Sequence, residues 1–480
     1  MVDDQRHWRA VELVVLALHL AAEIERRCES RTVGVLLPTG GLFPAAALAA
    51  WMTGRVVVPL NYLLKPEELQ YVIDDCETDL VLTVGPMLEF LGATPRCKHV
   101  VDLATMNFKA VPELRWPASA DDHDLAVMLY TSGTSGKPKG VMLSHGNITS
   151  NIQQIQDHVH FTRRDIVLGV LPQFHSFGLT VLTIMPLVAG MKVVYSARFV
   201  PSKIVKLIRD HRPTIMIAIP SMYNALLATK DTEAEDFASL RYTVSGGEPL
   251  PQAVFDRFQE RFGITINEGY GLTETSPVSN WCRPDEFRRG SVGRPLPRID
   301  QRIINPGTGA VLGPNQDGEV IMRGPNIMQG YYKLAEETAK ALDAEGYLHT
   351  GDQGRFDNDG HLYITGRIKE MIIVGGENVF PREIEEVLNQ HPAVQATGVI
   401  GIRDDVRGEL PWAFVELKED AQFNESALRQ WCRERLAGYK VPREIVRVEA
   451  LPRNPTGKIM RRELVKFVPS SEPAAEAGRP

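Results

Sequence analysis

Tyr130-Thr-Ser-Gly-Thr-Ser-Gly-Lys-Pro-Lys-Gly140 follows one short apolar run, Leu125–Leu129, and precedes another, Val141–Leu143. Both runs have the length and content of buried strands, so the stretch reads as a loop joining strand to strand. Gly133, Gly136 and Gly140 let successive backbone N–H groups face one concavity, Thr131, Ser132, Thr134 and Ser135 add hydroxyl donors, and Lys137 and Lys139 add positive charge. Such a nest suits a polyphosphate. It is not a Walker A loop, because Gly136-Lys137 is followed by Pro138 rather than Ser or Thr and the glycine spacing is too short. A P-loop kinase or GTPase is therefore disfavoured. Ser144, just beyond, is placed to cap a helix through Ile155. Taken alone, a cluster of Ser, Thr and Gly is also ordinary turn composition, so the rest of the chain has to decide.

Before the loop, helical and β-branched patterns alternate: a helix over 8–27, a strand Val33–Leu37, a helix Pro44–Met52, a strand Val56–Pro59, a helix Pro66–Cys76 and a strand Leu80–Val84. That alternation predicts a sheet covered by helices. Residues 85–124 read as a polar, proline-containing segment. After the loop, strands are expected at Ile166–Leu171, Lys192–Tyr195, Ile215–Ile219 and Leu240–Ser245, which make a second α/β unit. Residues 290–365 are rich in Gly and Pro, with strand candidates Gln301–Ile304 and Glu319–Met322 that predict a small β-rich subdomain. A new pattern opens near Lys369 and reads as α+β, with strands Met371–Val374, Val394–Ile402, Pro411–Leu417 and Ile445–Val448 and helices Pro381–Asn389 and Ser426–Leu436. The expected domains are 1–368 and 369–469, followed by a Ser-, Pro- and Ala-rich tail, 470–480, whose composition predicts disorder.

With 480 residues the chain is expected to fold as two or three structural units rather than around one core. Hydrophobic residues make up 44% and charged residues 24%, as in ordinary globular proteins, and a net charge of −7 supplies no electrostatic reason for a nucleic-acid partner. Cys28, Cys76, Cys97, Cys282 and Cys432 show no paired spacing for zinc or a redox dithiol, which fits a reducing, cytoplasmic setting. The apolar run Val11–Ala22 is too short to span a bilayer and contains Glu12 and His19, so it reads as a buried helix and membrane association is not expected.

Three further stretches carry chemistry. In Asn267-Glu-Gly-Tyr-Gly-Leu-Thr-Glu-Thr-Ser276, Gly269 and Gly271 admit close backbone approach, Tyr270 offers a flat face, and Glu268, Thr273 and Glu274 offer oxygens. A tyrosine can stack on a base and a carboxylate can hold Mg²⁺ beside phosphates, although the same residues also suit a surface turn. In Tyr347-Leu-His-Thr-Gly-Asp352 the carboxylate of Asp352 can accept from a ribose diol, while Thr-Gly-Asp alone equally describes a turn. Pro452-Arg-Asn-Pro-Thr-Gly-Lys458 is a stiffened loop ending on one lysine.

In this order and spacing the four stretches resemble the acyl-adenylate-forming superfamily, which includes acyl-CoA synthetases, the adenylation domains of peptide synthetases and firefly luciferase. The resemblance runs from about Val33 to Leu464. It implies an α/β fold: a large N-terminal domain of two α/β subdomains plus a β-barrel-like subdomain, with a small mobile α+β C-terminal domain. It also implies the roles of individual residues. Thr131, Ser132, Gly133, Thr134, Ser135, Gly136 and Lys139 would form the phosphate loop, with Lys139 its signature lysine and Thr134 near the metal. Gly246, Gly247 and Glu248 would line the adenine site, together with Glu268, Gly269, Tyr270 and Gly271, and Tyr270 would stack on the base. Thr273 would touch the α-phosphate, Glu274 would coordinate Mg²⁺, and Asp352 would bind the ribose with Arg367 nearby. Lys458 would be the catalytic lysine, Lys369 the hinge, and Gly375 and Gly376 part of the pantetheine tunnel. ATP, Mg²⁺ and CoA are the cofactors this implies.

Gln173-Phe-His-Ser-Phe-Gly178 matches the family stretch that opens the acyl pocket, where Phe174 and His175 would gate the channel. Amino-acid-activating members place an aspartate at the pocket mouth, and no acidic residue lies between Val170 and Val188. The expected substrate is therefore a fatty or aryl acid, activated by ATP and passed to CoA. Transfer to the phosphopantetheine of a carrier protein is the alternative, and a non-catalytic nucleotide- or acyl-binding homologue the third reading. The chain enters its first α/β unit almost at once, whereas superfamily members usually carry several dozen further residues. This shortened N-terminus is expected to bear on stability and on whether the protein is a monomer or a homodimer, more than on chemistry.

Overall fold

The computed structural model describes residues 1–132, 137–404, 406–453 and 457–468. The loop residues Gly133, Thr134, Ser135 and Gly136 and the tail 470–480 lie outside the described residues, as does the side chain of Ser132. Two compact units result. One comprises Met1–Leu250, Val254–Thr350 and Arg355–Tyr363; the other comprises Pro251–Ala253, Gly351–Gly354 and the chain from Ile364 onward.

In the first unit, strands β1 (Thr32–Leu36), β2 (Val56–Pro59), β3 (Leu80–Thr83), β4 (His99–Asp102), β5 (Leu125–Ser132) and β6 (Pro138–Ser144) stand in the order β6-β5-β2-β1-β3-β4. β1, β2 and β3 are buried along their whole length, as expected of Val/Leu runs in a parallel sheet covered on both faces. Helix Pro66–Asp75 covers one face, packing Leu69, Val72 and Ile73 against Leu36, Val56 and Val58. It starts on a proline with two acids in its first turn, and Glu68 Oε2 accepts from the Lys65 N–H at 3.2 Å. The opening helix, Ala10–Arg27, turns Leu13, Leu16, Leu20 and Ile24 inward. Among the described residues, no helix is long and apolar enough to cross a membrane.

The two expected flanking strands are present and are longer than expected, taking in Tyr130–Ser132 and Pro138–Gly140 of the stretch read as loop. β5 and β6 pair antiparallel from Leu125↔Ser144 to Ser132↔Pro138, so Thr131 and Lys139 face each other on paired strands. Ser144 Oγ accepts from the Asn147 N–H at 3.1 Å, and Asn147 Oδ1 accepts from the Ser144 N–H at 2.9 Å. The helix so capped, His145–Val159, runs a turn beyond the expected end at Ile155.

The second sheet contains β7 (Ile166–Gly169), β8 (Lys192–Tyr195), β9 (Ile215–Ala218), β10 (Tyr242–Ser245), β11 (Asn267–Gly271), β12 (Val278–Trp281) and β13 (Arg294–Pro295), in the order β13-β12-β11-β10-β9-β7-β8. It is parallel from β8 to β11 and antiparallel beyond. Asp165 ties the amino ends of three strands: it accepts from the Thr162 N–H at 2.8 Å, Thr214 Oγ1 at 2.9 Å and Arg241 Nε at 2.8 Å. The core beneath is Leu168, Val194, Met216, Tyr223, Phe258 and Ile266.

The β-rich stretch forms β14 (Asp300–Ile304) and β15 (Gly318–Arg323), then β16 (Gly330–Tyr331), which adds to the first sheet beside β6. β17 (Leu348–Phe356) and β18 (Leu362–Arg367) complete a sheet of order β14-β15-β17-β18, and along these two strands the chain passes from the first unit into the second. One helix, Ala335–Ala341, interrupts the stretch, and Gly85–Leu91 and β4 occupy the segment read as polar loop.

In the second unit β19 (Ile372–Val374), β20 (Glu377–Val379), β21 (Val394–Asp404), β22 (Gly408–Leu417) and β23 (Glu444–Val448) form a sheet of order β20-β19-β22-β21, with β23 on β22. Helices Pro381–Asn389 and Glu425–Arg433 bury Ile384, Leu388 and Leu428 on Ile372, Val399 and Val415.

Candidate active site

The carboxyl ends of β9, β10 and β11 are where a parallel α/β sheet presents its ligand crevice. Gly246, Gly247 and Glu248 leave β10 there, and Ser245 pairs with Glu268 on β11 and with Ala218 on β9. A Cβ at Gly246 would stand 3.0 Å from Phe177 Cε1 and 3.4 Å from the Gly269 carbonyl oxygen. The acyl-pocket stretch and the stretch around Tyr270 therefore meet at this strand end. Ser176 Oγ lies 3.3 Å from Thr273 Oγ1, a second bridge between the same two stretches. At Gly271 a Cβ would fall 1.8 Å from the Pro277 carbonyl oxygen, so only glycine lets β11 turn back this tightly into β12. Tyr270 pairs with Asn280 immediately before a bulge that redirects the strand. Glu268 is buried and ion-paired with Arg289 at 3.2 Å. This stretch is an inner strand of the sheet and a tight turn into β12, not the surface turn its residues also allowed.

Lys139 belongs to a second cluster. Lys139 Nζ is 2.5 Å from Glu337 Oε2 and 5.3 Å from the centre of the Tyr331 ring. The Tyr331 hydroxyl donates to Glu274 Oε1 at 2.8 Å. Hydrogen bonds from Lys139 and then Lys340 hold the Glu337 carboxyl down to about 2. Burial, reinforced by the Glu274 carboxylate, raises the Tyr331 phenol far above its ordinary range, so it remains a donor. Neither Tyr331 nor Glu337 was singled out in the sequence. β16 is two residues long and carries no periodic signal.

His175 is exposed, and its Nδ1 accepts from the Phe177 N–H at 3.3 Å, capping the short helix Ser176–Leu179. Beside it, Gln173 Oε1 accepts from the Gly40 N–H at 2.8 Å, and Phe174 is buried edge-on to Tyr62 with ring centres 4.8 Å apart. The following Thr180–Ile184 forms a π-type turn, a distortion concentrated at functional sites.

The remaining predicted residues belong to the second unit. Asp352 lies inside β17 rather than in a turn, is 3% exposed, and accepts from Arg367 Nε at 2.7 Å. Lys369 sits in the short 3₁₀ turn Ile368–Glu370 between β18 and β19. Gly375 (φ 60°) and Gly376 (φ 92°) form the two-residue turn between Val374 and Glu377, a conformation that demands positive φ at both positions. Lys458 follows Gly457 and precedes Ile459, which bridges to Arg453, while Arg461 reaches Glu370 at 2.6 Å and Glu385 at 2.7 Å.

A glycine- and hydroxyl-rich sequence between β5 and β6, an aromatic–acidic strand end and a lysine-bearing second unit are the parts of an adenylate-forming enzyme. The chain belongs to the AMP-binding enzyme family, whose profile matches residues 3–332, and the profile of the AMP-binding enzyme C-terminal domain matches residues 383–458. It is 33% identical over 479 residues to the long-chain-fatty-acid–CoA ligase of Bacillus subtilis (strain 168), covering 90% of this chain and 85% of that protein. The ATP-bound crystal structure of MatB from Rhodopseudomonas palustris superposes with a TM-score of 0.88 at 30% identity, covering 97% of this chain and 94% of that one. The o-succinylbenzoate CoA synthetase MenE of Bacillus subtilis, in complex with the acyl-adenylate OSB-AMP, gives a TM-score of 0.85 at 30% identity, covering 96% and 94%.

Proposed function

We propose that the protein is an ATP-dependent, AMP-forming ligase that activates a fatty or aryl carboxylic acid as its acyl-adenylate and transfers the acyl group to CoA. The observation that carries this reading is the meeting of the acyl-pocket stretch with the nucleotide stretch at the β10–β11 end, through Phe177 on Gly246 and Ser176 on Thr273. An enzyme that joins an acid to the α-phosphate of ATP needs its acyl and nucleotide sites to share a wall.

In the first half-reaction a carboxylate oxygen attacks the α-phosphorus, an O–P bond forms, and the bond to pyrophosphate breaks. Two anions are forced together, so the residues that matter are those that place positive charge or donors where charge develops. In this reading Tyr270 gives its face to adenine beside Gly246, Gly247 and Glu248, and Thr273 donates to the α-phosphate. Asp352, with Arg367 as its partner, takes the ribose hydroxyls. Lys139 and the loop from Thr131 to Gly136 hold the phosphates, and Lys458 supplies charge to the reacting phosphoryl oxygens. Glu274 would suit Mg²⁺, since its carboxylate oxygens are hard donors of the right type and the Tyr331 hydroxyl fixes their orientation through Oε1, with Thr134 the second candidate on the loop. Bound there, Mg²⁺ would offset phosphate charge.

In the second half-reaction the thiol sulfur attacks the acyl carbon and AMP leaves. Lys369 is proposed as the pivot between the two half-reactions, Gly375 and Gly376 as the slim turn beside the pantetheine arm, and His175 as the gate of the acyl channel. A cytoplasmic location is part of the same proposal and is supported by five free thiols.

The test is product identification by mass after incubation with ATP, Mg²⁺ and CoA across a panel of fatty and aryl acids. AMP plus an acyl-CoA is the expected outcome. Pyrophosphate and acyl-adenylate without a thioester would point instead to a carrier-protein acceptor, and absence of pyrophosphate with every acid would contradict the proposal.

A further inference from the structure

We infer that Tyr331 is a positioning residue for the phosphate end of the site, one phenol that orients both the carboxylate of Glu274 and the ammonium of Lys139. The inference rests on the roles proposed above for those two residues.

Tyr331 reaches the site only through tertiary pairing. Gly330 and Tyr331 lie antiparallel to Met142 and Val141, on the strand that also carries Lys139. From there the Tyr331 hydroxyl donates to Glu274 Oε1 at 2.8 Å, while its ring centre lies 5.3 Å from Lys139 Nζ. A carboxylate and an ammonium thus rest on different parts of one side chain. Lys139 is itself ion-paired with Glu337 at 2.5 Å, so the phenol gives Glu274 a neutral partner apart from that pair. A neutral donor on Oε1 fixes the orientation of the carboxylate and so the direction of Oε2.

The phenol is itself held. The Tyr331 N–H donates to Thr338 Oγ1 at 2.9 Å, and Thr338 Oγ1 donates to the Leu334 carbonyl at 2.9 Å. Gly330, at φ 140°, leaves room for this latch, since a Cβ there would stand 2.7 Å from Thr338 Cγ2. The Glu274 main chain is tied to the same segment, its carbonyl accepting from the Met328 N–H at 2.9 Å. Residues 328–338 therefore form a support for Glu274 and Lys139.

The test is Tyr331→Phe, which keeps the ring and the β16 pairing and removes only the O–H, with Glu274→Gln run beside it. Removal of such a supporting hydrogen bond typically weakens metal affinity 10- to 100-fold. For Tyr331→Phe, the free Mg²⁺ giving half-maximal ATP–pyrophosphate exchange should rise about tenfold, with the KM for the acid unchanged. Calorimetric titration with Mg²⁺ and ATP, without any acid, should show about tenfold weaker binding. If Glu274→Gln raises the Mg²⁺ requirement and Tyr331→Phe does not, the inference is overturned and the site reading stands. If neither variant moves it, both are overturned. A Tyr331→Phe enzyme whose acid KM rises by as large a factor as its Mg²⁺ requirement also overturns it, because the phenol would then be only structural.

Discussion

Lys139 is matched to an anion within the chain itself. Glu337 stands 2.5 Å from its Nζ, so in the role proposed for Lys139 the nucleotide phosphates would compete with one carboxylate for the lysine. Glu337→Gln should therefore lower the KM for ATP, by about two- to fivefold given the worth of a partly exposed ion pair. Because Lys139 and Lys340 hold the Glu337 carboxyl down to about 2, it stays ionised throughout the usable range, and the advantage of the variant should persist from pH 8 to pH 5. Steady-state kinetics at those two pH values check both statements. A KM for ATP that rises in the variant would mean that Glu337 aids the lysine rather than competing for it. At this scale the sequence shows which residue types converge but not their partners: Lys139 was legible within its loop, whereas Tyr331 and Glu337 lie about 200 residues later and join it through β16 and the helix Ala335–Ala341 that follows.

Element by element, the strands of both α/β sheets were legible because Val56-Val-Val and Ile215-Met-Ile are short apolar runs buried on both faces. The cap at Ser144 was legible because a hydroxyl before a helix has one obvious partner. β4 was not, since His99–Asp102 lies at the sheet edge with only Val101 fully buried and so lacks an apolar signature. Asp352 was ambiguous because Thr-Gly-Asp suits a turn, and only pairing inside β17 distinguishes the two. The link between elements most open to test is Asp165, which joins β7 to the segments entering β9 and β10. Burial works against its charge, but hydrogen bonds from Arg241, the Thr162 N–H and Thr214 outweigh it and bring its carboxyl down to about 2. A depressed carboxyl stabilises the fold fully above its ordinary value near 4, and that contribution is lost as pH falls toward 2. Asp165→Asn should cost about 1–3 kcal/mol at pH 7. Urea unfolding should show the gap between wild type and variant narrowing steadily below pH 4, and a gap independent of pH would contradict the ionic origin of the link.

For the whole molecule, the division into two compact units matches chemistry in two half-reactions. Lys369, in a three-residue turn between β18 and β19, is the proposed pivot. A proline there restricts the backbone torsions a pivot must change. Lys369→Pro should leave acyl-adenylate formation largely intact while thioester formation falls by on the order of 10²-fold or more, the scale of a lost conformational step. Parallel loss of both half-reactions would contradict the pivot. The central claim, that an acid is activated on ATP before any thiol takes part, is tested most directly by acid-dependent ATP–pyrophosphate isotope exchange without CoA. Exchange that requires both Mg²⁺ and a fatty or aryl acid is the predicted result; no exchange with any acid, or exchange only once CoA is added, would contradict it.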